Sequence, residues 1–196
     1  MSIIVYQRLD NKDIILAADG MVVSGSEIQE PDKHKAFYLL SDMRMQEYDR
    51  YIACGFTGDG SLIEFFKRNA GIYFYEKEYK TNKIKHITSI LKTIIETYLD
   101  RNVVNKDKYA QYDNDISGFW VDNDGQIFEI CYYSQHGFIN VDERENDWGA
   151  LGCGSKYAMA AMDMGADCEQ AINLASKHDI YITECMSKIT IKYEKV

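Results

Sequence analysis

The chain has 196 residues, 46% of them hydrophobic and 27% charged, the composition of one globular domain able to bury a substantial core. Lysine and arginine number 22 against 31 aspartates and glutamates, a formal net charge of −9 that argues against a phosphate-binding surface and so against a nucleic-acid partner. No apolar run reaches the roughly 18–20 residues of a membrane span, and no basic, apolar, small-residue succession marks a signal peptide. The expectation is therefore a cytoplasmic protein with no membrane partner.

The first sixty residues read as strands. IIVYQRL and DIILAAD flank a polar turn of Asp10, Asn11 and Lys12, which is a hairpin signature, and AFYLL and YIACGF follow as short apolar runs. The period then changes. Ser61 stands where a helix N-cap is expected, ahead of Leu62, Ile63, Phe65 and Phe66 on one helical side. A longer helix carries Ile84, Ile87, Leu91, Ile94 and Tyr98 on one stripe. DISGFWV, GQIFEICYY and DWGALG read as strands. A helix from about Ser155 turns Ala158, Ala161 and Met162 inward, and Asp167 with Gln170 forms a capping box for AINLASK. DIYIT and KITIKY close the chain as strands. No linker or repeat divides the sequence, so residues 1–196 are read as a single domain. The alternation predicts an α+β fold with a largely antiparallel two-sheet core covered by helices.

Several features exclude chemistries. The five cysteines, Cys54, Cys131, Cys153, Cys168 and Cys185, lack CxxC spacing and read as reduced thiols rather than a disulfide frame or zinc site. His34, His86, His136 and His178 are scattered without ligand spacing, so no metal is expected. GFTGDG is rich in glycine but lacks the lysine and hydroxyl residue that end a phosphate loop, and no cofactor is called for. YDNDIS, DNDG and DEREND read as solvated acidic loops.

Ser2 has two readings. It is either a bland start to an edge strand or, once Met1 is clipped, a residue carrying both a hydroxyl and a free α-amine. The stretch SIIVYQR, then IILAADG, then a lysine ahead of an apolar strand, resembles the N-terminal half of proteasome β-type subunits, and especially the bacterial HslV-type peptidase that works with a ring ATPase. These are N-terminal nucleophile (Ntn) hydrolases, and the resemblance spans about residues 2–68 and 148–184. It implies a four-layer αββα sandwich. It puts the family's N-terminal threonine on Ser2, its strand-end aspartate on Asp19 and its active-site lysine on Lys35, sixteen residues beyond. The oxyanion glycine falls on Gly55, and the supporting GSG turn on Gly152-Cys153-Gly154, with Cys153 in place of serine. Ala53 and Thr57 flank Gly55 and would line a substrate pocket for an apolar side chain. Lys33 shares the strand parity of Lys35 and remains a rival for its role; Asp179 is a candidate for the acidic residue near the last strand.

The resemblance implies a peptidase subunit acting on polypeptides inside a homo-oligomeric stacked ring fed by an ATPase or unfoldase partner. Two other functions remain open. One is an inactive structural or assembly subunit of a multi-subunit particle, viral or otherwise, suggested by the drift at Ser2 and Cys153. The other is an amidohydrolase acting on small amides.

Overall fold

Two antiparallel sheets lie face to face, each carrying helices on its outer side. The computed structural model describes residues 2–20, 23–24, 27–28, 35–40, 50–101 and 115–193. Met1, Lys33, His34 and residues 112–114 of the first acidic cluster lie outside the described residues.

The expected hairpin forms from β1 (Ile3–Arg8) and β2 (Ile14–Asp19), with Lys12 in its turn at φ 67°. A two-residue pair, β3 (Val23–Ser24) and β4 (Glu27–Ile28), precedes β5 (Ala36–Tyr38) and β6 (Ile52–Gly58). Helix α1 (Gly60–Asn69), a 3-10 turn (Ala70–Tyr73), α2 (Glu76–Thr81) and α3 (Lys83–Arg101) follow. Next come β7 (Ile116–Asp122), β8 (Ile127–Tyr133), β9 (Phe138–Glu143) and β10 (Trp148–Gly152). Helices α4 (Ser155–Asp163) and α5 (Cys168–His178) lead to the last strand, β11 (Cys185–Ile191). One sheet has the order β10-β1-β2-β11 and the other β5-β6-β7-β8-β9.

Strand alternation sends side chains to two different cores. Ile3, Val5 and Ala17 pack outward against Ala158, Ala161, Met162, Ala171 and Ile172 of α4 and α5. Ile4, Leu16 and Ala18 point the other way and meet Ala36, Ala53, Phe119 and Val121 of the second sheet. The outer face of that sheet buries Cys54, Phe56 and Trp120 under Leu62, Phe66, Ile87, Leu91 and Ile94 of α1 and α3. Phe56 and Phe66 meet edge to face, their ring centroids 4.9 Å apart. Each fully buried side chain of this size stabilises the fold by about 1.5–3 kcal/mol. The result is the expected four-layer αββα sandwich of the α+β class. No helix among the described residues is long and apolar enough to cross a membrane.

Four local expectations need correction. The cap of α1 is Asp59, not Ser61: its carboxylate accepts the amides of Ser61 and Leu62 because β6 ends at Gly58, whose φ of 121° turns the chain two residues earlier. DIYIT is not a strand. Asp179 ends α5 and takes the Tyr181 amide on its side chain and the Ile182 amide on its carbonyl, which winds the segment into a turn. The stripe on α3 is rotated, with Ile84 exposed and His86, Ile90 and Ile95 buried in addition to Ile87, Leu91 and Ile94. DNDG is no solvated loop either, since Asp122 and Asn123 are both fully buried. Lys83 Nζ lies 2.6 Å from Asp122 Oδ2, the Tyr79 hydroxyl donates to the same oxygen at 2.7 Å, and Arg50 pairs with Asp124. This network pins α2 and α3 to the β7–β8 turn. The capping box of Asp167 and Gln170 is present as expected.

Candidate active site

Ser2, just ahead of β1, is held from two sides by neighbouring strands. Ile3 pairs with Gly152 in β10, and Gly152 adopts φ 103°, a conformation open to glycine. A Cβ there would lie 1.9 Å from the Ser2 carbonyl oxygen, so the close approach also demands glycine. The turn that follows delivers Cys153, whose amide donates to the same carbonyl at 3.2 Å and whose Sγ lies 3.6 Å from it. Ser2 is buried, and its Oγ has no hydrogen-bond partner among the described residues. An unpaired buried hydroxyl costs about 1–3 kcal/mol, and a catalytic role is one reason for a fold to carry that cost.

On the other side stands Asp19, the last residue of β2. Its Oδ1 accepts the Ile3 amide at 3.0 Å and Lys35 Nζ at 3.0 Å, and its Oδ2 accepts the Thr183 amide at 3.3 Å. Asp19 is fully buried and Lys35 nearly so. Two charges withdrawn from water persist only when paired and hydrogen-bonded, and both conditions hold here. Lys35 precedes β5, and the Ala36 amide donates to Ser187 Oγ at 3.3 Å, which ties this edge of the second sheet to β11. The register of β11 on β2 slips between Cys185 and Ser187, opposite Asp19 and Ala18. Bulges of this kind commonly re-aim side chains beside a site.

Cys153 is exposed on its outer side, while its sulfur lies against Ser2 and Asp179. Partial desolvation, followed by the hydrogen bond and negative charge of the Asp179 carboxylate, pushes the thiol up to about 11. At neutral pH it is an S–H donor and a poor nucleophile.

Gly55 sits in the middle of β6, opposite Ala36 on one side and Phe119 on the other, rather than at a strand end. A Cβ at Gly55 would come within 3.1 Å of Ile4 Cγ2 and 3.3 Å of Leu16 Cδ2, so it faces the opposite sheet. Its links to the cluster run through Ile4, two residues from Ser2, and Ala36, next to Lys35. Ala53 and Thr57 share its face. Ala53 is fully buried in the inter-sheet core opposite Val121, and Thr57 is buried opposite Ser117.

The structure thus gathers Ser2, Asp19, Lys35 and Cys153 into one cluster, with Gly55 adjacent and Ala53 and Thr57 flanking it. Thr183 and Ser187 join the cluster without having been expected. Thr183 reaches Asp19 through its main-chain amide and the neighbouring Gly20 amide through its hydroxyl, across a sequence separation too long for any local motif to signal. Among the described residues no group of three or more His, Cys, Asp or Glu side chains is arranged to hold a metal ion.

No protein-family profile and no curated protein sequence matches the chain. Solved structures do. BPH from Thiobacillus denitrificans, determined in complex with epoxomicin, has a TM-score of 0.65 at 14% identity, covering 98% of this chain and 100% of that one. Anbu (ancestral beta-subunit) from Yersinia bercovieri gives 0.62 at 10% identity, covering 97% and 87%. The Anbu complex of Pseudomonas aeruginosa, solved as a helical assembly, gives 0.61 at 13% identity, covering 92% and 77%. At these identities the likeness establishes a shared proteasome-like fold and nothing finer.

Proposed function

We propose that this chain is a peptidase subunit of a proteasome-like compartmental protease, with Ser2 as its N-terminal nucleophile once Met1 is removed. The observation that carries this reading is the buried, unpartnered Ser2 hydroxyl, one residue before the Ile3 amide that donates to the solvent-excluded Asp19–Lys35 pair. A free α-amino group has an ordinary pKa of about 7.7–8.0, so part of it is unprotonated at neutral pH and able to act as a base. It takes the Ser2 Oγ proton as the oxygen attacks a peptide carbonyl. The Lys35 ammonium offsets the developing negative charge, and Asp19 holds that ammonium in place. The Gly55 amide is the donor assigned to the tetrahedral oxyanion, a contribution typically worth about 3–4 kcal/mol. Collapse of that intermediate returns the proton to the leaving amine, and water then hydrolyses the Ser2 ester with the α-amine again as base. Cys153, kept protonated, donates toward Ser2 and helps orient it.

In the same reading the subunit works as a cytoplasmic homo-oligomer on polypeptides admitted by an ATPase or unfoldase. The test is turnover of fluorogenic peptides by wild type and by Ser2→Ala, both checked for folding by circular dichroism. Loss of all turnover in the folded variant supports the reading. Equal turnover in both removes Ser2 from the mechanism, and no turnover in either leaves the structural-subunit function.

A further inference from the structure

The segment between α5 and β11 supplies three contacts to the cluster. The Asp179 carboxylate meets the Cys153 thiol, the Thr183 amide donates to Asp19 Oδ2 at 3.3 Å, and Thr183 Oγ1 accepts the Gly20 amide at 2.9 Å. The last two form a closed clamp. Gly20 follows Asp19 directly, so the hydroxyl fixes the main chain on one side of Asp19 while the Thr183 amide fixes its carboxylate on the other. Thr183 Oγ1 donates in turn to the Glu184 carbonyl at 3.4 Å, which sets the hydroxyl's lone pairs toward Gly20.

The carboxylate needs this restraint. Asp19 sits at the end of β2, where its strand partner in β11 is Cys185, next to the register slip. Regular ladder pairing therefore stops just where the side chain must hold both the Ile3 amide and Lys35 Nζ on a single oxygen, Oδ1. Rotation about the Cα–Cβ bond of Asp19 would lose both. A donor on Oδ2 and a fixed main chain at the following residue oppose that rotation.

We infer that Thr183 is a positioning residue: its side chain clamps the Asp19–Gly20 corner and so holds the Lys35 ammonium in register with Ser2. This rests on the peptidase reading for its kinetic consequence but not for its geometric one. The hydroxyl is the specific requirement, because a side chain of the same shape without it leaves the Gly20 amide with no acceptor there.

Thr183→Val keeps the volume and branching and removes the acceptor; Thr183→Ser keeps the acceptor. With a fluorogenic peptide, Thr183→Val should lose about tenfold in kcat with KM within about twofold, the size of effect expected for one lost hydrogen bond felt in the transition state. The alkaline limb of its kcat/KM profile should move to lower pH, since a loosened Asp19 holds the Lys35 proton less well. Thr183→Ser should restore both. A second measurement does not depend on turnover. NMR titration of the protein with 13Cε-labelled lysine, the Lys35 signal assigned by its absence in Lys35→Arg, should show its midpoint lower in Thr183→Val than in wild type and unchanged in Thr183→Ser. An inactive wild type with that NMR shift present would overturn the peptidase reading and keep the clamp. An active wild type whose pH profile and Lys35 titration are the same in Thr183→Val overturns the clamp. Equal losses in the Val and Ser variants also overturn it, because the hydroxyl would then not be the cause.

Discussion

Replacing Lys35 by methionine isolates the buried ion pair. The Asp19 side chain is 0% exposed, the Lys35 side chain 9%, and the two meet at 3.0 Å. Methionine retains most of the lysine stem and removes the charge, leaving a carboxylate in the interior. Breaking one partner of a buried pair costs about 3–5 kcal/mol. Asp19 keeps the amides of Ile3 and Thr183, so the lower end of that range applies, about 3 kcal/mol. For a domain of this length each kcal/mol moves the melting temperature by roughly 2–4 °C, giving a fall of about 6–12 °C. Urea denaturation of wild type, Lys35→Met, Asp19→Asn and the double variant completes a thermodynamic cycle. The double variant should be less destabilised than the sum of the single ones, because no unpaired charge is left behind. A Lys35→Met cost under about 1 kcal/mol, the value of a surface pair, would refute the claim that this charge is solvent-excluded.

Gly152→Ala should destabilise by about 2 kcal/mol or more and depress peptide turnover as well, because φ 103° strains any L side chain and the new Cβ would overlap the Ser2 carbonyl. Wild-type urea midpoint and turnover in that variant would contradict the approach of β10 to the N-terminus. His86 accepts the Tyr75 amide on Nε2 at 3.1 Å, and burial, partly offset by Glu78, lowers its pKa below the ordinary 6.5. The folded state therefore binds this proton less readily than the unfolded one. Its contribution is present in full above about pH 6.5 and is lost as pH falls through the lower folded value. The urea midpoint should drop between about pH 7 and pH 5 more steeply in wild type than in His86→Gln; identical slopes would contradict a neutral, accepting imidazole.

Elements whose formation depends on local chemistry were legible in the sequence. The capping box of Asp167 and Gln170 needs only two side chains at fixed spacing, and the β1–β2 hairpin only two β-branched runs and a polar turn. Asp19 and Lys35 came forward through the spacing of the resemblance, not through their own surroundings, which left Lys33 open; their 3.0 Å contact is set by the fold. Where a choice between near neighbours is decided by tertiary geometry, sequence reasoning misplaced the feature. Asp59 won the α1 cap over Ser61 because of where β6 ends. β9 was missed because its Phe138, Asp142 and Glu143 face water at the sheet edge. DIYIT has strand-like residues, yet Asp179 captures the amides that a strand would have offered to a neighbour. DNDG appeared solvated because its partners Lys83, Tyr79 and Arg50 are distant in sequence. Thr183 and Ser187 act through hydroxyls that accept the amides of Gly20 and Ala36, partners more than 150 residues away in sequence, so nothing in their local sequence marks them.

The mass of the intact protein bears most directly on the proposed chemistry. If Ser2 is the nucleophile, protein purified from its assembled form should lack the mass of one methionine residue, and N-terminal sequencing should begin at Ser2. Complete retention of Met1 in the assembled protein would block the α-amine that the mechanism uses as its base, and would contradict catalysis by Ser2.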